Sequence, residues 1–360
     1  MKKVIFLAIA AAAALTACSK SEVIDSKYGN DMIGFQTYLG RDAQTKASII
    51  ETADLTDFGV FGYYTKDVQY TGTIAANLMV DQKVELVGTE WEYTPVKYWT
   101  NAEDWYGFLA YAPYKLTASE KNDAPVVTYE VPVTLADQTD VLYSNNKKSM
   151  QKGEVSLVFN HALARVAVNA SAKAYDAETG AEATAETDTY DNFFNIKNVT
   201  ITGPFNTTGD LNLYTGQWAS QTSGTNPEYD LFTGNLRLTT ESQALSTKTD
   251  ANGLTVDENY LMMLPTNFSE NPASLTVTYT ITTNNVLSSD LTKTVEIGNN
   301  FEQGKAYAIN LTLQLDPNNE IKFTVDKVET WEDADAAIGK DVYGTDEETT
   351  SEPETPAQGE

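Results

Sequence analysis

Cysteine and histidine are almost missing from this chain. Its 360 residues include one of each, Cys18 and His161. A single thiol cannot form an internal disulfide, so an exported chain of this sequence must be held by its core alone, which a chain of this size can do. The same scarcity excludes a zinc site of the ordinary kind. Cations are few as well: 24 Lys and Arg stand against 51 Asp and Glu, a net charge of −27. Nucleic-acid binding needs clustered Lys and Arg, so no nucleic-acid partner is expected, and adhesion to an anionic membrane by charge is equally disfavoured. The acidic excess reads as surface solubility. The N-terminal apolar run, Val4–Leu15, has twelve residues, short of the roughly 20 that span a bilayer. The chain carries no P-loop, Rossmann fingerprint, HExxH or EF-hand loop, and no G-x-S-x-G nucleophile motif. No cofactor, no metal and no catalytic residue is expected.

What is present favours β structure. Twenty Tyr and thirteen Phe accompany many threonines, and aromatic and β-branched residues suit a pleated, half-buried surface. Short strands with turn signals follow one another along most of the chain, which points to an all-β protein of two β-sandwich domains. Phe58-Gly59-Val60-Phe61-Gly62-Tyr63-Tyr64 reads as a buried strand whose glycines allow close backbone approach. Residues 155–168 read as one or two strands around a polar kink at His161. Leu275, Val277, Tyr279 and Ile281 alternate with polar residues, as do Tyr307, Ile309, Leu311, Leu313 and Leu315. Ile321, Phe323 and Val325 alternate too, but Val328 and Trp331 continue the apolar face only after a one-residue slip, the signature of a β-bulge. Residues 219–230 read as a polar loop.

The first 47 residues are organised differently. Met1-Lys2-Lys3, the apolar run and small residues after it form a signal peptide over 1–17. Leu15-Thr16-Ala17-Cys18 matches the bacterial lipobox, in which the cysteine thiolate accepts lipid and becomes the new N-terminus. Two or three acyl chains there give stable anchoring, with the outer membrane as the destination. A tether covers 18–31. One strand follows, with Ile33, Phe35, Thr37 and Leu39 on one face, and then an exposed polar loop holding Arg41 and Lys46, the kind of segment that proteases cut. The expected division is an N-terminal sandwich over 32–172, a linker over 173–192, a C-terminal sandwich over 193–331 and an acidic tail over 332–360. That tail holds ten acids against one lysine and is expected to stay mostly disordered.

Several features admit a functional and a structural reading. Trp91, Trp99 and Trp105 could stack on carbohydrate, although aromatics beside Gly and Pro at strand ends suit a sandwich core. His161 could be a base, but with no nucleophile motif it reads as a hydrogen-bonded structural residue. The acidic groups Asp54–Asp57 and Asp137–Asp140 could bind Ca²⁺, yet they lack the spacing of a calcium loop.

Taken in order, these pieces resemble the fimbrillin family of Bacteroidetes, the subunits of type V pili. The resemblance rests on the lipobox, Ile33-Gly34-Phe35, Thr45-Lys46-Ala47 and Phe58-Gly59-Val60-Phe61. It continues through Phe159-Asn160-His161-Ala162-Leu163-Ala164-Arg165-Val166, Tyr260-Leu261-Met262-Met263-Leu264-Pro265, and Gly304-Lys305-Ala306-Tyr307 leading to Trp331. It implies two transthyretin-like β-sandwiches in tandem, export as a lipoprotein precursor, and a maturation protease that cuts at Arg41 or Lys46. The cut removes the first strand, and a strand from another pilin subunit fills the groove. Such a strand burying ~300–400 Å² of apolar surface contributes on the order of 8–10 kcal/mol before ordering costs. The family's cut site carries Arg where this chain has Lys46, so an uncut, lipid-anchored subunit is the competing expectation. Two segments could donate the strand: Phe323, Val325, Val328 and Trp331, or the apolar island Ile338–Tyr343. A surface glycan-binding lipoprotein is the reading from another class.

Overall fold

A computed structural model describes residues 31–39, 55–173, 192–245, 247–249, 255–258, 260–283, 286–315 and 321–330. Among them the fold is strand throughout, apart from one 3-10 turn at Leu135–Asp137. The first half supplies β1 (Phe35–Leu39), β2 (Asp57–Lys66), β3 (Met79–Val87), β4 (Glu90–Glu92) and β5 (Trp105–Ala112). It continues with β6 (Thr117–Lys121), β7 (Ala124–Glu130), β8 (Leu142–Met150), β9 (Val155–His161) and β10 (Ala164–Lys173). Beyond residue 191 come β11 (Asn192–Thr202), β12 (Asn206–Asn212), β13 (Gln217–Ser223) and β14 (Glu228–Arg237). The later long strands are Ala273–Thr283, Leu291–Ile297, Ala306–Leu315 and Ile321–Thr330.

Seven strands form the largest sheet, in the order β1-β9-β8-β5-β2-β3-β4. Both of its faces are covered, which is why β2 reads as a continuous apolar run instead of an alternating one. Phe58, Val60, Phe108, Ala110, Leu157 and Phe159 belong to one core, while Phe61, Tyr63, Leu109 and Tyr111 belong to the other. Gly59 makes room for a ring: a Cβ there would lie 2.2 Å from Tyr111.

Strand pairing crosses the boundary expected at 173–192 from two strands, β7 and β10. β7 pairs antiparallel with β12, Val127 opposite Leu211, within a sheet ordered β13-β12-β7-β6. β10 runs parallel to Ala306–Leu315, from Arg165 opposite Ala306 to Lys173 opposite Gln314, and carries Leu261–Met263 on its other edge. The facing sheet is built on β14, β11 and Ala273–Thr283. Leu275, Val277 and Tyr279 point into the core with Val166, Val168, Ile309 and Leu311. The slip expected near 326 is present: Asn310 opposes Lys327 while Leu311 opposes Val325, leaving Asp326 as the extra residue. The polar loop expected over 219–230 is corrected, because β13 runs to Ser223 and β14 starts at Glu228. Tyr229 and Leu231 are buried there, each flanked by an acid, so the alternation was masked by charge.

The kink between β9 and β10 is tied on three sides. The Ala162 N–H donates to the Val141 carbonyl at 2.8 Å, and the Gly304 N–H donates to the Leu163 carbonyl at 3.0 Å. Trp218 Nε1 donates to the Ala162 carbonyl at 2.6 Å.

Candidate functional site

The feature most unlike a closed sandwich is the edge of the seven-stranded sheet. β1 lies there parallel to β9, with Phe35 opposite Val155, Thr37 opposite Leu157 and Leu39 opposite Phe159. No strand lies beyond β1 in the sheet order among the described residues. Parallel pairing is slightly less stable per residue than antiparallel pairing, and an edge strand has a ladder on one side only. Two side chains of this segment are nevertheless core: Ile33 is 0% exposed and Phe35 6%. Gly34 and Tyr38 face solvent, and the expected alternation fades at Gln36 and Thr37, which are both half-buried. The Phe35 ring meets Phe58, Tyr93 and Phe108 edge-on, with centroids 5.8, 5.6 and 5.8 Å away. Lys152 pairs with Asp31 at 2.5 Å just before the strand.

A second wall was not legible in the sequence. Residues 93–99, within the runs 91–95 and 97–99 that read as short strands, instead form an irregular cover over the start of the slot. The Tyr93 hydroxyl donates to the Ile33 carbonyl at 2.8 Å, and burial pushes its pKa up to about 12. The Ile33 N–H donates to the Lys97 carbonyl at 3.0 Å, and the Trp99 N–H donates to the Asp31 carbonyl at 2.7 Å. Met32 and Tyr98 make the bridge between the two segments.

The other expected site residues separate cleanly. Cys18, Arg41, Lys46, Trp331 and the island Ile338–Tyr343 lie outside the described residues. Phe323, Val325 and Val328 lie on Ile321–Thr330, which pairs antiparallel with Ala306–Leu315 at the end of its own sheet. Trp99 is 7% exposed and packs on Tyr106 and Phe108; Trp91 packs on Phe58. Trp91 and Trp99 therefore serve the core. His161 Nδ1 is 2.7 Å from Asp140 Oδ2, and that carboxylate is buried at 2% exposure, so the histidine is structural and one of the acids considered for Ca²⁺ is already engaged. Asp57 accepts the Tyr114 N–H at 2.9 Å. Among the described residues no group of three or more His, Cys, Asp or Glu could hold a metal ion, and no helix is long and apolar enough to cross a membrane.

A family model described as fimbrillin-like matches residues 45–331. No curated protein matches the chain. Among solved structures, a fimbrial protein from Bacteroides vulgatus is 21% identical with a TM-score of 0.61, covering 84% of this chain and 100% of its own. A putative cell adhesion protein from Bacteroides ovatus is 18% identical with a TM-score of 0.49, covering 84% of this chain and 98% of its own. Another from Bacteroides uniformis is 19% identical with a TM-score of 0.47, covering 83% and 99%.

Proposed function

Because this chain belongs to the fimbrillin-like family, we propose that it is a subunit of a cell-surface fimbrium that is completed by a strand from a neighbouring pilin. Family membership makes it a structural, non-enzymatic protein. Its partners are other pilin subunits, and its role is adhesion at the cell surface.

One observation carries the exchange mechanism. β1 occupies a slot by two buried side chains spaced as Ile-x-Phe, Ile33 and Phe35. In the whole chain that spacing recurs once, at Ile321-Lys322-Phe323. The middle position imposes no demand, since a Cβ on Gly34 would meet nothing within 4 Å, so lysine fits where glycine stands. Ile321–Thr330 is therefore the donor this slot suits, leaving its place beside Ala306–Leu315 to lie on β9 of the next subunit. Main-chain pairing supplies affinity in such strand addition and alternate side chains supply register.

The leader completes the scheme. Export and acylation at Cys18 bring the precursor to the outer membrane, and a maturation protease cuts after Arg41 or Lys46 to free β1 with the lipidated segment. Mass spectrometry of the cell-surface form tests this. A mature N-terminus at Asp42 or Ala47 is expected of a polymerising subunit. An acylated Cys18 on the fully assembled form would make the chain a lipid anchor instead, and a plain unlipidated N-terminus at residue 18 would overturn the lipoprotein route.

A further inference from the structure

We propose that residues 93–99 act as a strap that closes over whichever strand fills the slot and reads its backbone ahead of the stretch that pairs with β9. The inference rests on the exchangeable-strand reading above and adds to it a second recognition element with its own residues.

The strand in the slot changes partner along its length. Residues 35–39 pair with β9, whereas 31–33 pair with the strap, and the crossing point is Gly34. Three polar contacts fasten the strap, from Tyr93, Lys97 and Trp99 to the backbone at positions 31 and 33. The ends of the strap are fixed independently. Trp91 packs on Phe58 at 5.0 Å just before it, and the Thr100 N–H donates to the Tyr106 hydroxyl at 3.0 Å just after it. Between those anchors, the Trp99 N–H is satisfied by the slot strand, while the Lys97 carbonyl accepts the Ile33 N–H at 3.0 Å beside a longer contact from the Tyr93 hydroxyl at 3.3 Å. Backbone groups shut away from water need such partners, so the strap has reason to sit down only when a strand is present.

This arrangement defines the ligand. It is an extended polypeptide reaching from position 31 to position 39, with large apolar residues at 33 and 35 and free choice at 34. Proline is excluded at 33, because that N–H donates to the strap. Tyr93 is the positioning residue, its ring against Phe35 and its hydroxyl on the Ile33 carbonyl.

Hydrogen exchange read by mass spectrometry on the full chain tests the proposal. Ile33→Asp with Phe35→Asp expels the strand. The Trp99 amide is then expected to exchange about tenfold faster or more, while β5 amides keep their protection. A peptide with the sequence of residues 31–39 restores protection at both β9 and Trp99, and the same peptide with proline at the Ile33 position binds at least about tenfold more weakly. Unchanged exchange at Trp99 in the emptied chain, or a bound peptide that protects β9 and leaves Trp99 open, overturns the strap. A peptide that protects neither segment overturns strand exchange, and the Trp99 amide of the emptied chain still judges the strap. Should the double variant unfold, Tyr93→Phe decides: faster exchange at Trp99 in an otherwise intact chain supports the strap, and unchanged exchange refutes it.

Discussion

Phe35 shows how much one side chain commits to the slot. It is enclosed by three aromatic rings, and replacing a buried Phe by Ala costs about 3–5 kcal/mol. Phe35→Ala is expected to lower unfolding stability by that order in denaturant titration; a change below about 1 kcal/mol would mean that β1 contributes little to the closed form. Gly59→Ala tests the opposite fault, since its methyl would collide with the Tyr111 ring. Overpacking of this kind costs typically about 1–3 kcal/mol, and a midpoint equal to that of the parent would contradict it. Tyr93 adds a pH dependence of definite sign. Its hydroxyl stays neutral in the folded protein up to about 12, raised by burial from its ordinary value of 10.0. Its contribution is complete below the unfolded value and is lost as pH rises through the folded one, at up to about 1.4 kcal/mol per pH unit. Tyr93→Phe should flatten the alkaline fall in stability by close to one proton. Identical slopes would show that Tyr93 ionises alike in both states.

Among the strands, the edges differ in how they meet solvent. β4 is three residues long and places Glu90 and Glu92 around Trp91, a charged, short edge of the kind that resists unwanted pairing. β14 is long, but its pairing with β11 is interrupted by two register shifts. β1 has neither protection. Glu90→Thr with Glu92→Thr is accordingly expected to bring on concentration-dependent self-association in sedimentation, and a variant that stays monodisperse would dismiss the gatekeeping role. The sequence made much of this visible. Period-two alternation located Ala273–Thr283 and Ala306–Leu315, the bulge at Asp326 showed as a phase slip, and the buried pair Ile33 and Phe35 was legible as one face. β14 was hidden because Tyr229 and Leu231 sit between Glu228, Asp230 and polar neighbours. The cover over 93–99 reads as short strands because its aromatic residues carry strand propensity whatever the backbone does, and its role depends on a strand sixty residues earlier. The parallel pairing of β10 with Ala306–Leu315 joins segments far apart in the chain and leaves no local mark.

Taken whole, the molecule ties the chain before residue 173 to the chain after residue 192 by strand pairing. β10 has its partners in Leu261–Met263 and Ala306–Leu315, and β7 has one in β12. A chain ending at Lys173 should therefore lack the dispersed amide spectrum of a folded domain, whereas a cooperative unfolding transition for that fragment would establish an independent N-terminal unit. The net charge of −27 bears on assembly, because copies with this excess repel at long range. Their association should quicken as ionic strength rises from about 0.01 to 0.15 M and the Debye length falls from about 30 to 8 Å; slower association with salt would point to attraction between opposite patches. The parallel seat on β9 also has a mechanical meaning. In the polymer proposed above, stretched end to end, tension on the inserted strand would act along its own axis, so its hydrogen bonds would be sheared together and would not unzip singly. The load passes through the tied turn at Ala162 and Leu163 into β10, which is gripped on both edges deep in the other half of the subunit.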